Sequence, residues 1–207
     1  MIEKLARKLG RNDEAPNIEL AEYLCASRDR EGIKEIVDGL KGKDKAVAND
    51  CVKVLYEIGE RAPELVADFA DVFISGLESG NNRLVWGCMT ALANISRLSA
   101  GQIFSRLDTI ISAYENGSVI TVDNSVSVFA GLCKASKEYE KTVLPMLINH
   151  LRKCKPKEVA QHAERCSVCF DRENAKAFIE VLESRYSDLG APAQARVNKL
   201  LKSLRAM

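Results

Sequence analysis

An apolar pattern recurs every 37 residues in this chain, and that period narrows the folds open to it more than any other feature. The segment 32–40 places Ile33, Ile36, Val37 and Leu40 at helical spacing. One period on stand Ala70, Phe73, Ile74 and Leu77, then Leu107, Ile110, Ile111 and Tyr114, then Leu144, Leu147, Ile148 and Leu151. Positions i, i+3, i+4 and i+7 form one face of a helix. One helix with such a face has nowhere to bury it, so successive copies must stack on each other. The expected fold is all-α, a right-handed α-α superhelix, or solenoid.

A second stripe repeats in the same register. Cys51, Val52, Leu55 and Ile58 align with Cys88, Met89, Leu92 and Ile95, and then with Ser125, Val126, Phe129 and Leu132. Each period therefore holds two helices, with Ser125 as the one polar member of this stripe. Turn chemistry separates the units at Lys41–Asp44, Ser79–Asn82 and Asn116–Ser118. Glycine and asparagine there suit a left-handed helix ending. Asp44, Asn82 and Ser118 are the expected N-caps, and Pro63 is expected to open a second helix. The chain reads as one repeat domain, 1–207, of about five helix pairs near 13–42, 43–80, 81–117, 118–155 and 156–190. In the fifth pair the register slips, with Ile179, Leu182 and Tyr186 following Leu144, Leu147 and Leu151 at an offset of 35. A capping helix is expected over 191–207, with Val197, Leu200, Leu201 and Leu204 on one side and basic residues on the others. A short amphipathic helix through Leu5 and Leu9 is expected at the N-terminus.

Charge and cysteine usage limit the function classes. The net charge is +1, from −3 over residues 1–100 and +4 over 101–207. Neither balance makes nucleic acid the default partner. The first ten residues lack the apolar core of a signal peptide, and no run of about 18 apolar residues offers a membrane span. The expected location is cytoplasmic. Seven scattered cysteines, an odd number, read as reduced thiols.

The stretch 40–47, followed by Cys51, Val52, Leu55, Ile58 and Gly59, resembles the HEAT-repeat motif, in which an Asp-containing turn leads into a helix patterned V-R-x-x-A-x-x-A-L-G. The arginine common after the valine is replaced by Ala48, Val85 and Val122. The run Thr90–Ser96 is similar to the third helix of armadillo repeats, whose asparagine, here Asn94, grips a bound peptide's main chain. The equivalent positions in the neighbouring units are Glu57 and Gly131, so HEAT-like pairs are the favoured reading. The resemblance implies a non-catalytic protein-binding or scaffolding module whose second helices line the concave side.

On that face the polar positions of two units align as an acidic strip with small hydroxyls: Asp68, Asp71, Ser75 and Glu78, then Ser105, Asp108, Ser112 and Glu115. A strip of one sign attracts a partner of the other. The expected partner is a protein or peptide segment, basic where it meets the strip. The alternative is nucleic-acid binding through Lys134, Lys137, Lys141, Arg152, Lys153, Lys155 and Lys157.

No catalytic residue stands out and no cofactor is expected. The chain has two histidines, His150 and His162, and no nucleophile elbow, HExxH, phosphate loop or dinucleotide fingerprint. Some HEAT-like proteins are DNA glycosylases, but Trp86 has Thr90 rather than an aspartate one turn on. Trp86 is expected to pack between repeats. His162, Cys166 and Cys169 carry helical spacing and zinc-compatible chemistry, with Cys154 as a fourth donor across the turn. The favoured reading places Cys166 in a buried stripe with Val159, Ala163 and Phe170, and no metal is expected.

Overall fold

The computed structural model describes residues 1–206. Among them every regular element is helical, and the chain divides into two compact units, 1–128 and 129–207. No helix among the described residues is long and apolar enough to cross a membrane.

The first unit contains α1 (Ala15–Ser27), α2 (Arg30–Gly39), α3 (Lys45–Arg61), α4 (Ala70–Gly76), α5 (Asn82–Ile95), α6 (Ala100–Ser105) and α7 (Leu107–Asn116). The division falls inside α8 (Val119–Ala135). The second unit continues with α9 (Lys137–Lys153), α10 (Pro156–Cys166), α11 (Ala175–Arg185) and α12 (Ala191–Arg205).

In the first unit α3 packs between α1 and α5, α2 packs on α3, and α4 packs on α5 and α6. The 37-residue stripe explains this arrangement. Cys51, Leu55, Ile58, Cys88, Met89, Leu92 and Ile95 are all fully buried, as are Ile33, Ile36, Ala70, Phe73 and Ile74. Ser125 is also fully buried, and its hydroxyl donates to the Thr121 carbonyl at 2.8 Å. That bond satisfies a polar group that burial would otherwise penalise. The third copy of the second-helix stripe is looser: Ile110 is buried, whereas Leu107, Ile111 and Tyr114 are half-exposed.

Close packing in this unit depends on two glycines. A Cβ on Gly39 would lie 2.6 Å from the Cys51 sulfur, and a Cβ on Gly76 would lie 2.4 Å from the Cys88 sulfur. The two contacts are one period apart. Each lets a second helix settle onto the following first helix with a thiol filling the notch. The third period carries Ala113 and Ser125 at these positions, a larger side chain opposite a smaller one.

Several local expectations are corrected. The turns after α2 and α4 contain no left-handed residue; positive φ occurs at Arg28, which closes α1, and at Gly10. Instead α2 and α4 tighten into i to i+3 bonds, as Leu40 N–H to Val37 carbonyl and Leu77 N–H to Ile74 carbonyl, both 3.1 Å. Such bonds satisfy terminal carbonyls without a glycine in the left-handed region. Asp44 caps α3 through the Ala46 and Val47 N–H groups, and Ser118 accepts from the Thr121 N–H. The cap of α5 is Asn81 rather than Asn82, accepting from the Arg83 N–H. Pro63 opens a 3-10 turn rather than α4 itself, and the third second-helix breaks at Arg106 into α6 and α7. At the N-terminus a single 3-10 turn, Ile2–Lys4, replaces the expected helix; Leu5 is buried and Leu9 exposed.

In the second unit α9 packs on α10 and α11, and α12 covers α10 and α11. Val197, Leu201 and Leu204 of α12 are buried, and its basic side chains are exposed. Phe170 and Phe178 stack with ring centres 3.9 Å apart. Arg185 closes α9, its guanidinium donating to the carbonyls of Leu151, Arg152 and Cys154. A cation at a helix C-terminus also meets the negative end of the helix dipole.

Candidate binding surface

All eight residues of the expected strip are exposed. Asp68 lies on the 3-10 turn Ala67–Phe69, Asp71 and Ser75 on α4, and Glu78 just beyond α4. Ser105 ends α6, and Asp108, Ser112 and Glu115 follow on α7. The strip thus begins on a short element because Pro63 delays the helix start and leaves Asp68 in the preceding turn.

The structure gathers part of this strip around a groove of about 480 Å³ between the end of α4 and α7. Glu78 and Ser79 form one wall, and Asp108, Ser112 and Asn116 form the other, with Leu77 on the lining. Asp68, Asp71, Ser75, Ser105 and Glu115 lie outside it. Asp68 faces Arg30 at 3.8 Å, a solvent-exposed pair that contributes little. Among the described residues no lysine or arginine comes within ion-pair distance of Asp71, Glu78, Asp108 or Glu115. Ser75 and Ser105 turn their hydroxyl protons back onto the Asp71 and Gln102 carbonyls, at 2.9 and 2.7 Å. Their oxygens can still accept from a ligand. The groove itself offers the carboxylates of Glu78 and Asp108, the hydroxyls of Ser79 and Ser112 and the side-chain amide of Asn116 beside the apolar Leu77 and Val85, a set suited to cationic and N–H-donating groups.

Sequence reasoning did not single out Ser79 and Asn116. They lie in turn segments, where their type signals chain reversal rather than contact.

Asn94 is engaged within the chain: its amide donates to the Tyr56 carbonyl of α3 at 3.1 Å. Trp86 of α5 meets Tyr56 of α3, ring centres 5.9 Å apart and tilted 45°, with the Arg83 guanidinium 5.9 Å from the indole. Beside these rings Lys53 is nearly buried. Its ammonium binds Glu57 at 2.6 Å and Glu14 at 3.0 Å, and Glu57 also holds Arg61. Burial alone would lower the Lys53 pKa, but the bonds to Glu57, Tyr56 and Glu14 raise it above its ordinary value.

The alternative basic residues are all exposed but stand at the two ends of α9. Lys137 and Lys141 are at its start with Lys134 on the last turn of α8, and Arg152 and Lys153 are at its end with Lys155 and Lys157 on the way into α10. A helix of this length separates them by about 20 Å. Lys137 is held by Glu140 at 3.1 Å, Asp171 at 3.2 Å and Glu173 at 3.5 Å. The bonds to Glu140 and Asp171 raise its pKa.

The trio His162, Cys166 and Cys169 is not brought together as a donor set. Helix α10 ends at Cys166, so Cys169 sits in the 3-10 turn Ser167–Cys169 and its thiol donates to the Cys166 carbonyl at 3.0 Å. Cys166 is fully buried with Val159 and Ala163, and Phe170 is nearly so. His162 instead turns toward α9 and meets His150, ring nitrogens 2.8 Å apart.

No protein-family model and no curated protein sequence matches the chain. Solved structures do. An engineered protein superposes with a TM-score of 0.65 at 18% identity, over 100% of this chain and 99% of its own. A designed armadillo repeat protein in complex with the peptide (KR)4 gives a TM-score of 0.65 at 14% identity, covering 92% of each chain. The karyopherin Kap121p, bound to the SUMO protease Ulp1p, gives 0.65 at 14% identity over 96% of this chain and 22% of the karyopherin. Identities this low establish architecture alone, and the architecture is that of the HEAT/armadillo-like helical-repeat solenoids.

Proposed function

We propose that this protein is a non-catalytic binding module that holds a basic, extended segment of another protein against the acidic strip of α4 and α7. The observation that carries the reading is the groove where Glu78 and Asp108 stand exposed without a basic partner, in a chain whose net charge is only +1. Uncompensated carboxylates on facing walls raise the local concentration of cationic ligands and orient them. Asp71 and Glu115, each one 37-residue period from a groove carboxylate (Asp108 and Glu78), extend the negative field beyond the groove together with Asp68. The designed armadillo protein with bound (KR)4 supports the reading by analogy: a related architecture carries an alternating lysine–arginine peptide.

The test is titration of a fluorescently labelled (KR)4 peptide into the full-length protein. The triple reversal of Asp68, Asp71 and Asp108 to Lys should weaken binding at least roughly tenfold at low salt, because it replaces attraction by repulsion at three points. Equal affinity of the two proteins for the peptide would remove the strip from the reading. A glutamate-rich peptide of the same length should bind neither wild type nor the groove variant Ser112→Ala.

A further inference from the structure

The geometry points to a metal site, independent of the strip, in which His150, Cys154 and His162 bind one zinc-class divalent cation. His150 and Cys154 are one helical turn apart at the end of α9, and His162 approaches from α10. Their donor atoms all lie within 4.8 Å of one another. His162 is fully buried, His150 nearly so, and Cys154 half-exposed.

The donor types select the cation. Two imidazoles and a thiolate are borderline to soft ligands, matching zinc and its neighbours rather than magnesium or calcium. The two nitrogens stand close to coordination spacing, and the sulfur, within 4.8 Å of them, has to close in by up to about 1 Å. Zinc–nitrogen bonds of about 2.0–2.1 Å and a zinc–sulfur bond of about 2.3 Å place tetrahedral nitrogens about 3.3 Å apart and nitrogen–sulfur pairs about 3.6 Å apart. The facing ring nitrogens, His150 Nε2 and His162 Nδ1, stand 2.8 Å apart. They need to part by about half an ångström, a side-chain adjustment. The half-exposed flank at Cys154 gives entry to the ion and to a water as the fourth ligand.

The proton balance is simple. The N–H between the two rings moves to the far nitrogen of the same imidazole, which stays neutral, and the thiol proton leaves to solvent. Arg185 sits beside Cys154 and donates to its carbonyl at 2.9 Å. The same arginine fixes the last turn of α9, and so the Cys154 backbone, in place.

The test uses the full-length protein after chelator treatment. Zinc is titrated in competition with a chromophoric chelator, and cobalt(II) is followed by its visible bands and its thiolate charge-transfer band. Wild type should bind one equivalent and show the thiolate band. Cys154→Ser, which alters a half-exposed position and should stay folded by circular dichroism, should lose the thiolate band and bind zinc at least about tenfold more weakly. His162→Gln should lose tight binding as well. Cys166→Ala should bind as wild type does, because Cys166 is outside the donor set. Zinc binding by Cys154→Ser equal to wild type overturns the site. So does a Cys166→Ala variant that loses the metal, or a wild type that fails to take up one equivalent.

Discussion

Both units bury hydroxyls or thiols, but they differ in the strongest polar pairs they bury. In residues 1–128 the nearly buried polar groups on α3 are fully charged and paired: Lys53 with Glu57 and Glu14, and Glu57 again with Arg61. In residues 129–207 the buried groups are imidazoles and thiols, with His150 against His162 and Cys166 and Cys169 nearby. The first unit also keeps the 37-residue register, and the second slips to 35 in its last pair. In the first unit the charges pair mainly one turn apart along α3, Lys53 with Glu57 and Glu57 with Arg61, and Glu14 at the start of α1 adds a partner from the next helix. In the second unit the buried partners are two ring nitrogens, one from α9 and one from α10, which share a hydrogen bond and so satisfy each other.

The largest expected effect strikes both units alike. Leu92→Ala in α5 and Leu182→Ala in α11 each remove a fully buried side chain and should cost about 2–5 kcal/mol by denaturant unfolding. A loss under about 1 kcal/mol for either would mean that its unit relaxes around the cavity.

The next effect separates the units. Lys53→Met leaves Glu57 nearly buried with Arg61 alone and should cost about 2–4 kcal/mol. The Glu57 carboxyl feels burial pushing its pKa up, but bonds from Lys53 and Arg61 hold it below the ordinary 4.5. A depressed carboxyl pKa stabilises the fold above its unfolded value, and that stabilisation is lost as pH falls through the folded value. Stability of wild type should therefore drop below about pH 4.5, and part of that drop should be missing in Glu57→Gln. Urea midpoints from pH 3 to 7 measure it, and parallel curves for the two proteins would leave the charge cluster without thermodynamic weight.

A smaller effect probes why the first unit stays in register. Gly76→Ala forces a methyl against the Cys88 sulfur and should cost about 1–3 kcal/mol. Pairing it with Cys88→Ser imitates the Ala113 and Ser125 combination one period later, and should restore most of the loss. Additive costs in the double variant would show that notch and thiol do not act as a pair. The smallest effect belongs to the surface: the triple lysine reversal of the acidic strip should change unfolding free energy by no more than about 0.5 kcal/mol.

The helix pairs and both buried stripes were legible because periodicity at 37 residues is a one-dimensional signal, and burial follows directly from it. Helix endings were less so. Glycine and asparagine after α2 and α4 signal a turn, but main-chain bonding chose tight i to i+3 closure over the left-handed form. The break at Arg106 has no proline or glycine to announce it. The acidic positions of the strip could be aligned by counting, whereas the groove depends on how the end of α4 meets α7. The histidine pair was hidden for a similar reason. Spacing within α10 drew attention to Cys166 and Cys169, yet His162 points across to α9, and sequence separation carries no trace of that crossing.

Cys51 and Cys88, seated against Gly39 and Gly76, give the first unit a built-in clock for its own opening. Both sulfurs are fully buried, and burial pushes their pKa up to about 12. A thiol reagent at neutral pH meets neither a path to the sulfur nor an appreciable thiolate until the helices separate. The rate at which native protein takes up label at these two positions therefore reads the opening of successive layers directly, with no probe to engineer into the chain.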